Sequence, residues 1–209
     1  MGISLQKGQK IDLTKGGGGG LRQVMVGLGW DEAEQTSSGG LFKNLFGGGS
    51  SNQAIDCDAS AILCGSNGKL ISNNANECCV YYGHLQHSSG AIIHQGDNLT
   101  GEGEGDDEQI MVNLSQIPPS IDRIVFVVNI YDARARNQHF GMIRNAFIRL
   151  VNMDSNSEIC RYNLSDNYNN MTGLIVGEIY RKNGEWKFNA IGQPVKEASR
   201  IDALLRMYQ

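Results

Sequence analysis

Between Asn44 and Asp122 the chain has almost no positive charge: Lys69 is the one basic residue there, against ten acidic ones. With a formal net charge of -4, that scarcity excludes a non-specific nucleic-acid binder, which needs a basic footprint to displace counterions from phosphates. Apolar runs are short as well. No stretch approaches the roughly twenty apolar residues of a membrane helix, and the opening MGISLQKGQKIDLTK has no apolar centre of the signal-peptide kind. The expectation is a cytoplasmic protein without a membrane span. Gly2 stands where a myristoylation signal would put it, but no Ser or Thr follows at the required place. Catalytic signatures are missing too. There is no G-x-S-x-G elbow, no phosphate-cradling G-x-x-x-x-G-K-[ST] and no H-E-x-x-H. Five cysteines, an odd number that includes the adjacent Cys78 and Cys79, suit no disulfide framework and are expected as reduced, buried thiols. A zinc site from Cys78, Cys79, His84 and His87 is disfavoured, because neighbours on an extended chain point to opposite faces. His84, His87, His94 and His139 lie among polar neighbours and are expected as surface or hydrogen-bonded groups rather than general bases.

What the chain does have is a concentration of oxygen. The stretch GDNLTGEGEGDDEQI, residues 96–110, carries six carboxylates: Asp97, Glu102, Glu104, Asp106, Asp107 and Glu108. Asn98 and Thr100 add neutral oxygens, and Gly101, Gly103 and Gly105 let the backbone turn tightly and present carbonyls inward. Like charges so close repel unless water or a cation neutralises them, and a hard divalent ion with six to eight oxygen ligands is the natural partner. A glycine-softened loop accommodates calcium's irregular coordination more readily than magnesium's octahedron. The bland alternative is a solvated acidic loop. Asp97 and Glu108 lie twelve positions apart end to end, as in an EF-hand. That comparison fails, since Glu102 occupies the EF-hand glycine position and the flanks read as strands.

A length of 209 residues bounds one domain able to bury a core. Ile3 to Leu5 and Lys10 to Leu13 read as short strands around a Lys7-Gly8 turn, followed by the glycine run at 16–20. Leu21 to Gly29 alternates, with Val24, Val26 and Leu28 on one face. From Asp31 to Asn52 the chain is polar and glycine-rich apart from LFKNLF at 41–46, expected to fold back as a helical turn. Ile55 to Cys64 alternates again, so that Ile55, Cys57, Ala59, Ala61 and Leu63 share one face while Asp56, Asp58 and Ser60 share the other. The two carboxylates then project the same way about 7 Å apart, where one metal can bridge them. Cys79 to Tyr82, Ala91 to His94 and Gln109 to Leu114 are further strands, and the acidic loop joins the last two. Pro118-Pro119 marks a break. IVFVVNI, 124–130, reads as a central strand buried on both faces. Asn145 to Asn152 with Glu158 to Asn163, and Leu174 to Lys182 with Glu185 to Ile191 around Asn183-Gly184, read as hairpins. Val195, Ala198, Ile201, Leu204, Leu205 and Tyr208 recur at helical spacing. YDARARNQHFG, 131–141, reads as a solvated turn, with support of a metal site as its functional alternative. The fold expected is mainly β, a two-sheet antiparallel β-sandwich with short helices, including a C-terminal helix.

Loops at one end of a sandwich draw ligands from distant segments, so the Asp56/Asp58 strand end is the natural second contributor to the acidic loop. A metal-dependent phosphoester hydrolase also needs clustered carboxylates, but such sites usually add histidine or a positive clamp, which this acidic region lacks in sequence. A calcium-bridged lipid- or glycan-binding module is the other alternative.

VGLGWD at 26–31, DCDASAILC at 56–64, GDNLTGEGEGDDEQI at 96–110, IDRIVFVVNIYDA at 121–133, FGMIRNAFIRLVN at 140–152 and GEIYRKNGEWKFNAIGQ at 177–193 together resemble the TerD family of tellurite-resistance and stress-response proteins. The resemblance covers nearly the whole chain. It implies a calcium-binding β-sandwich in the bacterial cytoplasm, without enzymatic activity, holding two calcium ions and acting with other stress-resistance proteins or at the inner membrane surface. The family's acidic motif maps onto Asp56, Asp58, Asp97, Asn98, Asp106, Asp107 and Glu108, with Thr100, Gly103, Glu104 and Gly105 between them supplying further oxygens. Relative to the family pattern, the stretches at 16–20 and 39–52 read as glycine-rich insertions into one domain spanning 1–209.

Overall fold

The computed structural model describes residues 2–14, 21–32, 54–96, 105–164 and 166–209. The glycine run at 16–20 and the LFKNLF island lie outside them. In chain order the strands are β1 (Ile3–Leu5), β2 (Lys10–Asp12), β3 (Gln23–Glu32), β4 (Cys57–Cys64), β5 (Cys79–Val80), β6 (Ile92–His94), β7 (Glu108–Asn113), β8 (Arg123–Ile130), β9 (Ile143–Asn152), β10 (Ser157–Asn163), β11 (Gly173–Lys182) and β12 (Glu185–Val195). They form two sheets of six, ordered β1-β10-β9-β3-β7-β6 and β2-β12-β11-β8-β4-β5. The short helices are α1 (Ala75–Cys78), α2 (Ala133–Arg136) and α3 (Ile201–Leu205). Among the described residues no helix is long and apolar enough to cross a membrane.

Strand period explains the packing. On β4, Cys57, Ala59, Ala61 and Leu63 face the core between the sheets with Ile124, Phe126, Val128 and Ile130 of β8. Ile62 and Cys64 face outward with Val125 and Val127, into a second cluster closed by Cys78, Leu204 and Leu205. β8 is therefore apolar on both faces because each face is covered, as its sequence suggests. All five cysteines are buried and none forms a disulfide. Burial pushes the Cys64 and Cys160 thiols up to about 12.

Both predicted hairpins form. β11 and β12 meet through Asn183 and Gly184, whose φ values of 55° and 79° are those of the mirror-image turn that matches strand twist. The two short strands expected around Lys7-Gly8 also form, and they go to different sheets: β1 runs parallel to β10, pairing Ile3 with Cys160, while β2 pairs with β12. Among the described residues the sandwich thus has one parallel pair beside its antiparallel ones. One expectation is corrected. At the C-terminus helix begins only at Ile201, because Val195 is the last residue of β12, opposite Gly173. The chain then bends, held by Ala198 N donating to Thr172 Oγ1 at 2.8 Å and Thr172 Oγ1 donating to Lys196 O at 3.1 Å. Ala198 packs where Gly173 has no side chain, so its helical spacing from Val195 reflects docking rather than helix.

Candidate metal centre

Glu108 begins β7 at an inward position, its pattern alternating buried and half-buried along the strand. It is almost fully buried and reaches across to the second sheet, where its Oε2 accepts the Ala59 N–H of β4. His94, the last residue of β6, lies beside it with Nε2 at 3.5 Å from Glu108 Oε2 and 3.2 Å from Ala59 O. Because Gly96 N donates to His94 Nδ1 at 3.1 Å, that nitrogen is an acceptor, and the ring proton sits on Nε2 when the imidazole is neutral. His94 is thus a hydrogen-bonded histidine, as expected, and it joins the acidic loop to both sheets.

Asp107 follows the edge of β3. Its N–H donates to Leu28 O at 2.8 Å and its Oδ2 accepts Trp30 N at 2.7 Å. Burial raises its carboxyl above the usual carboxylate range, and the charges of Asp31 and Asp106 add to that.

Asp106 sits on the outer face of the first sheet, over Gly27. A Cβ at Gly27 would collide with its carboxylate, and one at Gly29 would collide with the Phe147 ring and Gly105 O, so the alternate glycines of VGLGWD form a groove for the loop. Gly27 is paired with Arg149 on one side and Gln109 on the other. These flanking residues close on the Asp106 carboxylate: Arg149 Nε and Nη2 donate at 2.6 and 2.9 Å and Gln109 Nε2 at 3.2 Å.

The second segment comes from β4. Asp58 is buried on the outer face of its sheet and accepts Asn129 Nδ2 at 3.1 Å. Asp56 accepts Tyr131 N at its carbonyl, 2.8 Å, and its carboxylate lies 3.5 Å from Arg136 Nη1. YDARARNQHFG is therefore no solvated turn. Ala133 and Phe140 are buried, Gln138 Nε2 donates to Ala54 O at 3.4 Å, and Arg136 lies 5.1 Å from the Tyr131 ring centre while facing Asp56. The segment braces residues 54–56.

The two segments converge around Cys57. Burial pushes its thiol well above its ordinary value, and the neighbouring charges of Asp58, Glu108, Asp56 and Asp107 act in the same direction. Four carboxylates, up to 52 positions apart in sequence, thus lie at one end of the sandwich, and each has one oxygen held by a donor: Arg136 for Asp56, Asn129 for Asp58, Trp30 N for Asp107 and Ala59 N for Glu108. Fixed second partners of this kind orient metal-ligating carboxylates. Among the described residues no group of three or more His, Cys, Asp or Glu is arranged to hold an ion by itself. Asp97, Asn98, Thr100, Gly103 and Glu104 lie outside the described residues, and Gly105 opens the part that is described, with φ at 117°.

Sequence reasoning missed Asp31, which ends VGLGWD near Asp107 and accepts Asn145 Nδ2 at 2.7 Å. The alternation of Gly27, Gly29 and Asp31 on one face of β3 was the available signal. It also missed the histidine and the positive clamp that fold back onto the acidic region, His94 and Arg149, whereas Arg136 belongs to the segment whose functional alternative is support of a metal site.

The TerD domain profile matches residues 1–208. The chain is similar to the stress response protein SCP2 of Bacillus subtilis (strain 168), 50% identical over 208 residues that make up 100% of both chains. It is 44% identical over 193 residues to tellurium resistance protein TerD of Serratia marcescens, covering 92% of this chain and 91% of that one. The crystal structure of a homologue of telluride resistance protein (TerD) from Streptomyces coelicolor A3(2) shares the fold, with a TM-score of 0.59 at 20% identity over 85% of this chain and 92% of the other.

Proposed function

The chain belongs to the TerD family, and from that premise we propose that it is a calcium-binding, non-catalytic bacterial stress-response protein that contributes to resistance to tellurite and related chemical or oxidative stress. The observation that supports the metal reading is that Glu108, the last carboxylate of the acidic stretch, crosses to the Ala59 N–H of β4, one residue from Asp58. An all-oxygen, carboxylate-rich set suits calcium rather than the softer metals that take thiolate or imidazole. Burial raises the Asp107 carboxyl, with the charges of Asp31 and Asp106 adding to it, and a bound cation would offset both.

In this reading Asp56, Asp58, Asp107 and Glu108 hold the ions together with oxygens of Asp97, Asn98, Thr100, Gly103, Glu104 and Gly105. Asp106, with its carboxylate closed between Arg149 and Gln109, anchors the loop onto β3. Calcium supplies positive charge that joins the loop to β4, and with it a link between the two sheets. Relatives named as stress-response and tellurium-resistance proteins support the stress role, which we place with other stress-resistance proteins or at the inner membrane surface.

Calorimetric titration with calcium and then magnesium tests this. Calcium binds more tightly, and Asp58→Ala weakens it although it lies far from the loop in sequence. If Asp56→Ala and Asp58→Ala both leave the calcium isotherm unchanged, the two-segment centre is wrong. Calcium-dependent cleavage of a phosphodiester that disappears in Asp107→Ala would replace the binding role with a hydrolase.

A further inference from the structure

Between α2 and α3 the surface opens into a groove of about 560 Å³, bordered by Arg134 and Asn137 after β8, Asn170 before β11, Lys196 and Arg200 after β12, and Arg206 after α3. Its frame is held by the main chain. Phe140 N donates to Met171 O at 2.8 Å, Thr172 N donates to Val195 O at 3.1 Å, and Ala198 N donates to Thr172 Oγ1 at 2.8 Å. A pre-formed concavity of this size is what small-molecule sites offer. Its charge runs against that of the whole chain, which is -4: four cations, Arg134, Lys196, Arg200 and Arg206, border it against two carboxylates, Glu197 and Asp202. Arg134 meets Glu197 at 3.1 Å and Arg200 meets Asp132 at 3.8 Å, in pairs open to solvent that hold weakly and can be exchanged for a stronger anion. Among the described residues Lys196 and Arg206 form no ion pair. Asp202 forms none either, and it lies near enough to Cys79 for its charge to raise that thiol.

From this groove we propose a binding site for a phosphate monoester, with Lys196 and Arg206 as its main cations and Arg134 and Arg200 recruited from their exposed pairs. The charge balance selects an anion. A phosphate monoester carries close to two negative charges at neutral pH, which two cations without ion pairs can meet, and its three acceptor oxygens can be shared among side chains from different elements. Arginine's planar fork takes two such oxygens at once. The rest of the lining is rich in neutral donors. Asn137, Asn170 and Ser199 border the groove, and His139 accepts Gly141 N at its Nδ1, 3.1 Å, so in the neutral ring its other nitrogen carries the proton. A nucleic acid is disfavoured, because one local groove on a chain of net charge -4 gives no extended basic track for a phosphate backbone. The site is separate from the metal centre: none of the proposed calcium ligands borders it.

The test is a two-dimensional NMR titration of the full chain with glycerol phosphate at neutral pH, run once with calcium and once with chelator, with glycerol as the neutral control and succinate as a dianion without phosphorus. Glycerol phosphate is expected to give saturable shifts at the side-chain amides of Asn137 and Asn170 and along residues 196–206, with a dissociation constant on the order of 1 mM for so small a ligand. Glycerol should give none, and succinate should bind several-fold more weakly. Lys196 and Arg206 are exposed, so Lys196→Gln and Arg206→Gln leave the core intact, and each should weaken glycerol phosphate about fivefold. Arg206→Lys, which keeps the charge but not the fork, should weaken it less than Arg206→Gln. Lys182→Gln, an exposed change in the β11–β12 hairpin, should leave it unchanged. Retention in chelator on phosphatidylcholine vesicles mixed with phosphatidic acid, and not on phosphatidylcholine alone, would identify a lipid headgroup as the source, and its absence a free ester; either sustains the site. Absence of saturation, succinate matching glycerol phosphate, or both glutamine variants matching the wild type would overturn it. Shifts that appear only with calcium would also overturn it, by placing the phosphate on the ion at the metal centre, whereas calcium binding could fail and leave the groove's affinity in chelator untouched.

Discussion

The two ends of the sandwich are closed by different physics. At the end where Cys64 pairs with Arg123, Leu114, Ile117 and Ile121 are buried and Trp186 packs into the core. The indole Nε1 donates to Leu114 O at 3.2 Å, and Arg181 lies over the ring at 4.6 Å. At the other end, where Cys57 pairs with Ile130, the closing groups are Asp56, Asp58, Asp107, Glu108 and His94, each held by a specific donor or acceptor. Apolar burial is non-directional and needs no counter-charge, so the first end is complete as folded. Buried carboxylates require compensation, so the second end is sensitive to charge, proton and cation.

The largest expected effect is Trp186→Ala, which opens a large cavity at the apolar end. It should lower unfolding free energy by about 3 to 5 kcal/mol, and by the same amount in calcium and in chelator, read by denaturant melts. Unequal losses under the two conditions would mean that the ends are coupled. Next comes Arg149→Met, which leaves the fully buried Asp106 carboxylate without its double donor and should cost about 3 kcal/mol. The double change with Asp106→Asn should recover part of that loss, and a simple sum of the two single effects would show that the pair does not act as a unit.

Calcium itself follows. An ion bound only by the native state adds about 2.7 kcal/mol at a hundred times its dissociation constant, or about 5 to 11 °C in melting temperature for a chain of this size. Magnesium should do much less, and identical melting curves in calcium and chelator after confirmed metal removal would reduce the acidic loop to a solvated one. The smallest effect concerns Asp107 in the metal-free protein. Its carboxyl is raised in the fold, so its stabilising contribution is fully present below the unfolded pKa of about 3.9 and is lost as pH rises through the higher folded value. Asp107→Asn, which keeps an acceptor for Trp30 N, should therefore raise the neutral-pH melting temperature of the metal-free protein slightly, with the gain vanishing below pH 4; a loss at neutral pH would show that the charge is stabilising.

Much of this was legible along the chain. Alternation on β4 put Cys57, Ala59 and Ala61 inward and Asp56 and Asp58 on the other face, and Asn183-Gly184 announced its hairpin. The acidic stretch, however, read as one uniform cage, whereas three successive residues have three different partners: Asp106 meets Arg149, Asp107 meets Trp30 N and Glu108 crosses to Ala59. Nothing local distinguishes them, because their partners lie 43, 77 and 49 positions away. The parallel docking of β1 on β10 escaped for the same reason.

Side-chain alternation and turn chemistry depend on neighbours two to four residues apart, and they suffice to make this chain a sandwich of short strands with an acidic loop at its edge. Which carboxylates stand together, and which arginine or amide holds each, depends on register between strands far apart in sequence. A slip of one residue would turn Glu108 out of the core and Gln109 into it. That register is settled only when both sheets bury their apolar faces against each other, since no shorter-range interaction on β7 favours one face for the carboxylates over the other.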